Sequence, residues 1–189
     1  MLKMRWSSSA AQKAQDWADQ CRGGHNSASE RRTTQFGCGQ NLLRTFNGPF
    51  SWNDVLQIWS TDEARFFRYG HSGNNPSVVG HYVQMIWAGT FQVGCGYRNC
   101  GSWQLYVCHY CPSASNYHDA LRPYKAGTAC SACPGQCHHN LCVNSCPYEN
   151  RYSNCEYMAR YRGLCQHPTL ASGCKASCHC GSRNLLYTP

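Results

Sequence analysis

An α+β fold, an α/β/α layered sandwich followed by a small disulfide-rich module, is predicted by three observations. Helical and strand patterns alternate through the first 112 residues. The chain of 189 residues carries 16 cysteines, an even number. Those cysteines crowd in the last third, where the spacing leaves too little apolar sequence for a core of its own, so covalent staples must hold that part together. So many thiols would be kept reduced in a cytosol, and the count points to an oxidising, secretory route. Cys108-x-x-Cys111 and Cys130-x-x-Cys133 have zinc-ribbon spacing, but the set is too irregular for repeated four-ligand sites.

The elements follow in order. Ser7 to Cys21 reads as an amphipathic helix, with Ser7, Ser8 or Ser9 as cap and Ala10, Ala11, Ala14, Trp17, Ala18 and Cys21 at helical spacing. Gly23-Gly24 stops it, His25 sits just beyond, and residues 26–35 read as a loop. Phe36 to Leu43 is a candidate strand containing Cys38. After the Asn47-Gly48-Pro49 break, a second helix runs from Trp52 or Asn53 to about Arg68, with Val55, Leu56, Trp59, Glu63 and Phe66 on its inner face. Tyr69 to Ser77 is a Gly/Asn/Pro loop, and a short helix carries His81. Strands over roughly 91–98 and 103–110 form a hairpin about the Cys100-Gly101 turn. Alternation places Trp103, Leu105 and Val107 on one face of the second strand, with Tyr106, Cys108 and Tyr110 on the other. Residues 113–127 lack periodicity and read as a linker. Arg151 to Arg162 is a candidate helix bearing Tyr152, Tyr157 and Tyr161.

The net charge is +8, with only 14% of residues charged. Such a balance suits anionic membrane surfaces, acidic glycans or the negative mouth of a channel, and equally plain solubility. Lys and Arg are scattered, with no nucleic-acid motif. No run of 18 or more apolar residues predicts a transmembrane helix. Met1-Leu2-Lys3-Met4-Arg5-Trp6 does not lead into a signal-peptide core.

Gly80–Trp87 (GHYVQMIW) and Tyr106–Pro112 (YVCHYCP) resemble the two signature segments of the CAP superfamily, the fold of plant pathogenesis-related proteins, insect venom antigen 5 and cysteine-rich secretory proteins. With the cysteine tail, the resemblance narrows to the cysteine-rich secretory protein (CRISP) family and covers nearly the whole chain. It implies a CAP domain over 1–112, a linker over 113–129, a cysteine-rich hinge over 130–145 and an ion-channel-regulatory module over 146–189, similar to sea-anemone ShK potassium-channel toxins. Met1 then reads as an internal residue of a chain whose CAP domain lacks its first helix, leaving exposed apolar surface.

The same resemblance implies the disulfides: Cys21–Cys100, Cys38–Cys111 and Cys95–Cys108 in the first domain, Cys130–Cys137 and Cys133–Cys142 in the hinge. The tail would carry Cys146–Cys180, Cys155–Cys174 and Cys165–Cys178. It also implies a cleft of two histidines, His25 and His81, with two acids, and a weak two-His zinc site. One acidic position departs from the pattern, because Gln40 stands where the family reads Glu. The other acid falls on Asp62 or Glu63, as the helix carries one extra residue before Tyr69-Gly70. Val83 replaces a hydroxyl residue usual in that motif. For each histidine the plain alternative is a buried, hydrogen-bonded structural role.

No G-x-S-x-G or HExxH motif occurs, no cysteine is left over to act as nucleophile, and Gln40 removes a carboxylate. The expectation is a secreted, monomeric, non-enzymatic binding protein whose partner is an ion channel or another cell-surface protein. Channel-contact candidates are Arg151, Tyr152, Tyr157, Arg160, Tyr161, Arg162 and Lys175, since Tyr and Arg are favoured anchors on a rigid surface. Reproductive or immune adhesion through the CAP domain is the rival, and sterol or lipid carriage near Tyr69–Val79 a third reading.

Overall fold

The structure is a computed structural model that describes residues 1–114, 121–148, 150–152, 154–160 and 163–181. A four-stranded sheet, in the order β1-β3-β4-β2, lies between helical layers. Its strands are β1 (Arg5–Trp6), β2 (Gly39–Thr45), β3 (Gln92–Asn99) and β4 (Gln104–Cys111). β4 pairs antiparallel with both β2 and β3, and β1 adds in parallel to the free edge of β3. Every residue of β4 is buried, as expected of a central strand covered on both faces. The alternation holds across it: Leu105 and Val107 meet Ala14, Trp17 and Ala18 on one side, while Tyr106, Cys108 and Tyr110 meet Val55 and Trp59 on the other.

The first layer is α1 (Ser8–Ala18), capped by Ser7, whose side chain accepts from the Ala10 amide. The helix ends three residues before the expected Cys21, because Cys21 takes a left-handed backbone (φ 51°) and bonds to Cys100; the Gly23-Gly24 pair is not needed as a stop. Small residues on both partners bring α1 down onto β3. A Cβ on Gly94 would lie 2.1 Å from the Ala11 nitrogen, and one on Gly96 would lie 2.5 Å from the Gln15 Cα. Beyond the reach of β1, the edge of β3 is satisfied by a side chain: Gln15 Nε2 donates to the Tyr97 carbonyl (2.9 Å) and Gln15 Oε1 accepts from the Tyr97 amide (3.1 Å).

β2 starts later than the expected Phe36. Phe36 and Cys38 are buried in the preceding loop, where Thr33 closes a turn on Phe36 and the Phe36 ring packs edge-on against Phe91. The second layer opens with α2 (Trp52–Gln57), held by a reciprocal capping box between Ser51 and Asp54. The chain then widens into a π turn, Ile58–Asp62, instead of continuing as one α-helix to Arg68. This changes the angular step along the segment. Val55 and Trp59 stay fully buried, whereas Leu56 (38% exposed) and Phe66 (59% exposed) leave the inner face assigned to them. α3 (Pro76–Met85) completes the layer, with Asn75 as N-cap and proline at the first helical position.

Residues 121–124 are tied to the sandwich by three hydrogen bonds: Gly70 N to the Leu121 carbonyl, Tyr69 Oη to the Tyr124 carbonyl, and Ala88 N to the Pro123 carbonyl. A small hairpin, β5 (Cys137–His138) with β6 (Leu141–Cys142), follows. It docks on the N-terminal segment through Lys3 N to the Cys142 carbonyl and Cys142 N to the Met1 carbonyl, both 2.8 Å. Cys133 and Cys142 share one core cluster with Leu2, Ala10, Phe36 and Phe91.

The C-terminal module holds α4 (Cys155–Met158), a 3₁₀ turn at Leu164–Gln166, α5 (Pro168–Gly173) and α6 (Lys175–Cys180). α4 is one turn long, shorter than the helix expected over Arg151 to Arg162. Disulfides Cys146–Cys180, Cys155–Cys174 and Cys165–Cys178 knit these pieces together, over an apolar cluster that among the described residues comprises Cys146, Ala176 and Cys180. The remaining bonds are Cys38–Cys111, Cys95–Cys108, Cys130–Cys137 and Cys133–Cys142.

Candidate functional site

Two hydrogen-bonded groups meet at consecutive residues of β2. The first belongs to α3 and the π turn. Glu63, just past the turn, accepts from His81 Nδ1 (2.6 Å) through Oε1 and from the Tyr82 amide (2.9 Å) through Oε2. Trp59 stacks on the His81 ring at 5.7 Å, and Asn41 Nδ2 donates to the His81 carbonyl (3.1 Å). The carboxylate therefore places a proton on His81 Nδ1 and fixes the orientation of the ring. Asp62 takes no part: it pairs with Arg65 at 2.7 Å on the exposed side of the turn. Val83 is buried with Val79 and Trp87 and presents no polar atom.

The second group runs His25, Gln40, His109. His25 Nδ1 contacts Gln40 Oε1 at 2.8 Å, and Gln40 Nε2 contacts His109 Nε2 at 3.0 Å. No sequence motif singles out His109. It lies directly opposite Gln40 in the β2–β4 ladder, a register that no local pattern reveals. The one available signal was a histidine at an alternating, otherwise apolar position of β4.

His109 is fully buried, and its pKa is pushed down to about 4, first by desolvation and then by the nearby Arg31 and Lys13 charges. Its geometry agrees: with Gln40 Nε2 as donor, His109 Nε2 accepts and the ring is neutral. A histidine whose folded pKa lies below its unfolded value of 6.5 leaves stability intact above that value and erodes it as pH falls toward the folded pKa. Unfolding free energy is therefore expected to drop by up to roughly 3 kcal/mol between about pH 6.5 and 4. The His109→Gln variant should show a flatter profile over that window; an unchanged slope in denaturant titrations would remove His109 as the cause.

Among the described residues, no group of three or more His, Cys, Asp or Glu side chains is arranged to hold a metal ion. His25 and His81 stand in separate hydrogen-bonded groups, and the neutral Gln40 supplies no charge between them. Two imidazoles without a nearby carboxylate between them make a weak donor set for zinc. No hydroxyl is hydrogen-bonded to either ring among the described contacts, and all sixteen cysteines are in disulfides.

On the C-terminal module, Arg151, Arg160 and Lys175 are exposed, as are Tyr152 (50%) and Tyr157 (61%). Tyr152 has a packing role as well, since a Cβ on Gly173 would lie 2.3 Å from its ring. Tyr161 and Arg162 lie outside the described residues. No described helix is long and apolar enough to cross a membrane.

A family model described as "Cysteine-rich secretory protein family" (CAP) matches residues 1–110, and a second, described as "Crisp", matches residues 130–184. Cysteine-rich secretory protein 2 of Cavia porcellus is 42% identical over 95% of this chain and 74% of its own length. Cysteine-rich secretory protein 1 of Mus musculus is 44% identical over the same shares. Among solved structures, Na-ASP-1 aligns with TM-score 0.63 and 29% identity, over 76% of this chain and 38% of its own. NaASP2, solved with Zn2+, aligns with TM-score 0.63 at 24% identity over 75% of this chain and 77% of its own, a likeness of fold.

Proposed function

From the premise that this chain belongs to the cysteine-rich secretory protein family, we propose that it is a secreted, non-enzymatic binding protein that modulates an ion channel through its C-terminal module. The observation that carries this reading is the match of residues 130–184 to the Crisp model, on a segment whose described part is held by disulfides and presents Arg151, Tyr157, Arg160 and Lys175 to solvent. A covalently rigid surface loses little conformational entropy on docking, and exposed Tyr and Arg are effective anchors.

The CAP domain adds contact area and fixes the module's surroundings. Glu63 orients His81 and Gln40 orients His25, with no nucleophile hydrogen-bonded to either among the described residues, so recognition rather than bond cleavage is the activity assigned to it. A zinc ion at His25 and His81 would have two nitrogen ligands, fewer than an established zinc centre uses, and the proposal does not depend on one.

The oxidised protein is expected to reduce currents in cells expressing one member of a panel of calcium, potassium and cyclic-nucleotide-gated channels. The Tyr157→Ala/Arg160→Ala variant should weaken that effect by about tenfold or more, the loss of one to two anchor contacts. Deletion of residues 146–189 should abolish it. Currents unchanged across the panel, with labelled protein still binding cells through residues 1–112, would replace channel modulation with surface adhesion.

A further inference from the structure

A cavity of about 500 Å³ lies between the segment 124–132 and residues 140–142 of the β5–β6 hairpin, with Ala88 also in its wall. That volume falls in the range of small-ligand pockets. Lys125, Thr128, Ser131 and Asn140 supply polar groups, and neither lining stretch contains an Asp or Glu. The wall also holds one cysteine from each hinge disulfide, Cys130 and Cys142. Cys142 and its partner Cys133 are each 2% exposed. Cys130 is half-buried, and its partner Cys137 is exposed. Cys130 also holds a left-handed backbone, φ 62°, which side chains adopt rarely and keep only where the surroundings impose it. Its disulfide spans a sequence separation of 7, so opening that bond lets the backbone relax. Other accessible bonds lack this combination. Cys165 is exposed, but it and Cys178 sit in the 3₁₀ turn and in α6. Cys21 shares the left-handed backbone, yet neither it nor Cys100 is exposed.

We propose that this cavity docks a small anionic thiol of the glutathione class, which exchanges with the Cys130–Cys137 disulfide. The exposed Lys125 meets a carboxylate of the thiol, while the Thr128 and Ser131 hydroxyls and the Asn140 amide suit its peptide groups. The docked thiolate attacks Cys130 Sγ from the cavity side. A sulfur–sulfur bond forms between the ligand and Cys130 as the Cys130–Cys137 bond breaks. The electron pair leaves on Cys137 Sγ as a thiolate, which takes a proton from water. The ligand sulfur is oxidised and the Cys137 sulfur reduced, so no further oxidant takes part. The Cys133–Cys142 bond and the Lys3–Cys142 and Cys142–Met1 backbone hydrogen bonds persist, and the hinge stays docked while its outer loop opens. The proposal is independent of the channel reading, because exchange is followed on the purified protein.

Incubation of the full oxidised protein with reduced glutathione at physiological pH tests it, quenched by alkylation and mapped by mass spectrometry. The initial adduct is expected on Cys130 with Cys137 alkylated, about tenfold or more ahead of thiols at Cys165 and Cys178 or at Cys21 and Cys100. Lys125→Gln should slow glutathione exchange by about two- to fivefold, the worth of one exposed ion contact. The same variant should leave exchange with uncharged mercaptoethanol unchanged. Initial opening at any other disulfide, or opening of several at one rate, would overturn the site. An initial adduct on Cys137 would place the attack outside the cavity and overturn the docking step. Equal slowing of both thiols by Lys125→Gln, or slowing of neither, would overturn that step too.

Discussion

An alanine at Gly96 is expected to lower the melting temperature by roughly 6–12 °C, corresponding to about 3 kcal/mol at the upper end of overpacking costs. The new methyl group would stand 2.5 Å from both the Cα and the nitrogen of Gln15, where ordinary contact begins near 3.4 Å. Both neighbours are helix backbone, so no side chain can rotate away; α1 itself must lift off the sheet. That motion stretches the two Gln15–Tyr97 hydrogen bonds that close the edge of β3 and loosens Ala14, Trp17 and Ala18 against Leu105 and Val107. Gly94→Ala should behave similarly, with contacts to Ala10 and Ala11. Gly80→Ala is the control: it lies inside α3 with open space at the Cβ position. It should be neutral or stabilising by about 0.5–1 kcal/mol, the helix-propensity gain of alanine over glycine. Thermal denaturation of the three variants decides the matter, and a Gly96→Ala protein that melts with the parent would refute the close-approach account.

The second large effect is expected at the hinge. Cys133→Ala/Cys142→Ala should cost about 2–5 kcal/mol, whereas Cys130→Ala/Cys137→Ala should cost less. The two bonds close loops of similar sequence separation, 9 and 7 residues, so chain entropy hardly distinguishes them. Burial does. Cys133 and Cys142 are each 2% exposed inside the cluster that includes Leu2, Phe36 and Phe91, while Cys137 is exposed. Losing the inner bond removes apolar atoms from that core and frees the strand carrying Cys142 from Met1 and Lys3. Hydrogen exchange at the Lys3 and residue-142 amides is the direct readout. Faster exchange there in the inner double variant alone would support a hinge welded to the CAP domain. Equal exchange in both variants would mean that the β5–β6 hairpin docks without help from the bond.

The sandwich class was legible because its central strand alternates cleanly. Leu105 and Val107 against Tyr106, Cys108 and Tyr110 describe two faces, and a strand apolar on both faces must sit between two layers. The start of α1 was legible from the Ser7 cap and the alanine spacing. Less was visible where the backbone departs from a regular period. The π turn at Ile58–Asp62 ends a pattern that reads as a continuous helix; Phe66, beyond it, is exposed, as is Leu56 in α2 before it. β1, β5 and β6 are two residues long, too short for alternation to register, and exist because a neighbouring edge offers unpaired backbone groups.

The amino-acid sequence by itself determined the layers, the oxidising route and the histidines on which a cleft could be built, since these depend on periodicity, cysteine count and motif. Tertiary structure alone decided which acid meets His81, because a carboxylate's direction depends on the turn beneath it: Glu63 turns inward and Asp62 out to Arg65. It also decided that Gln40 bridges His25 to His109, residues far apart in sequence that share an environment only through the β2–β4 register.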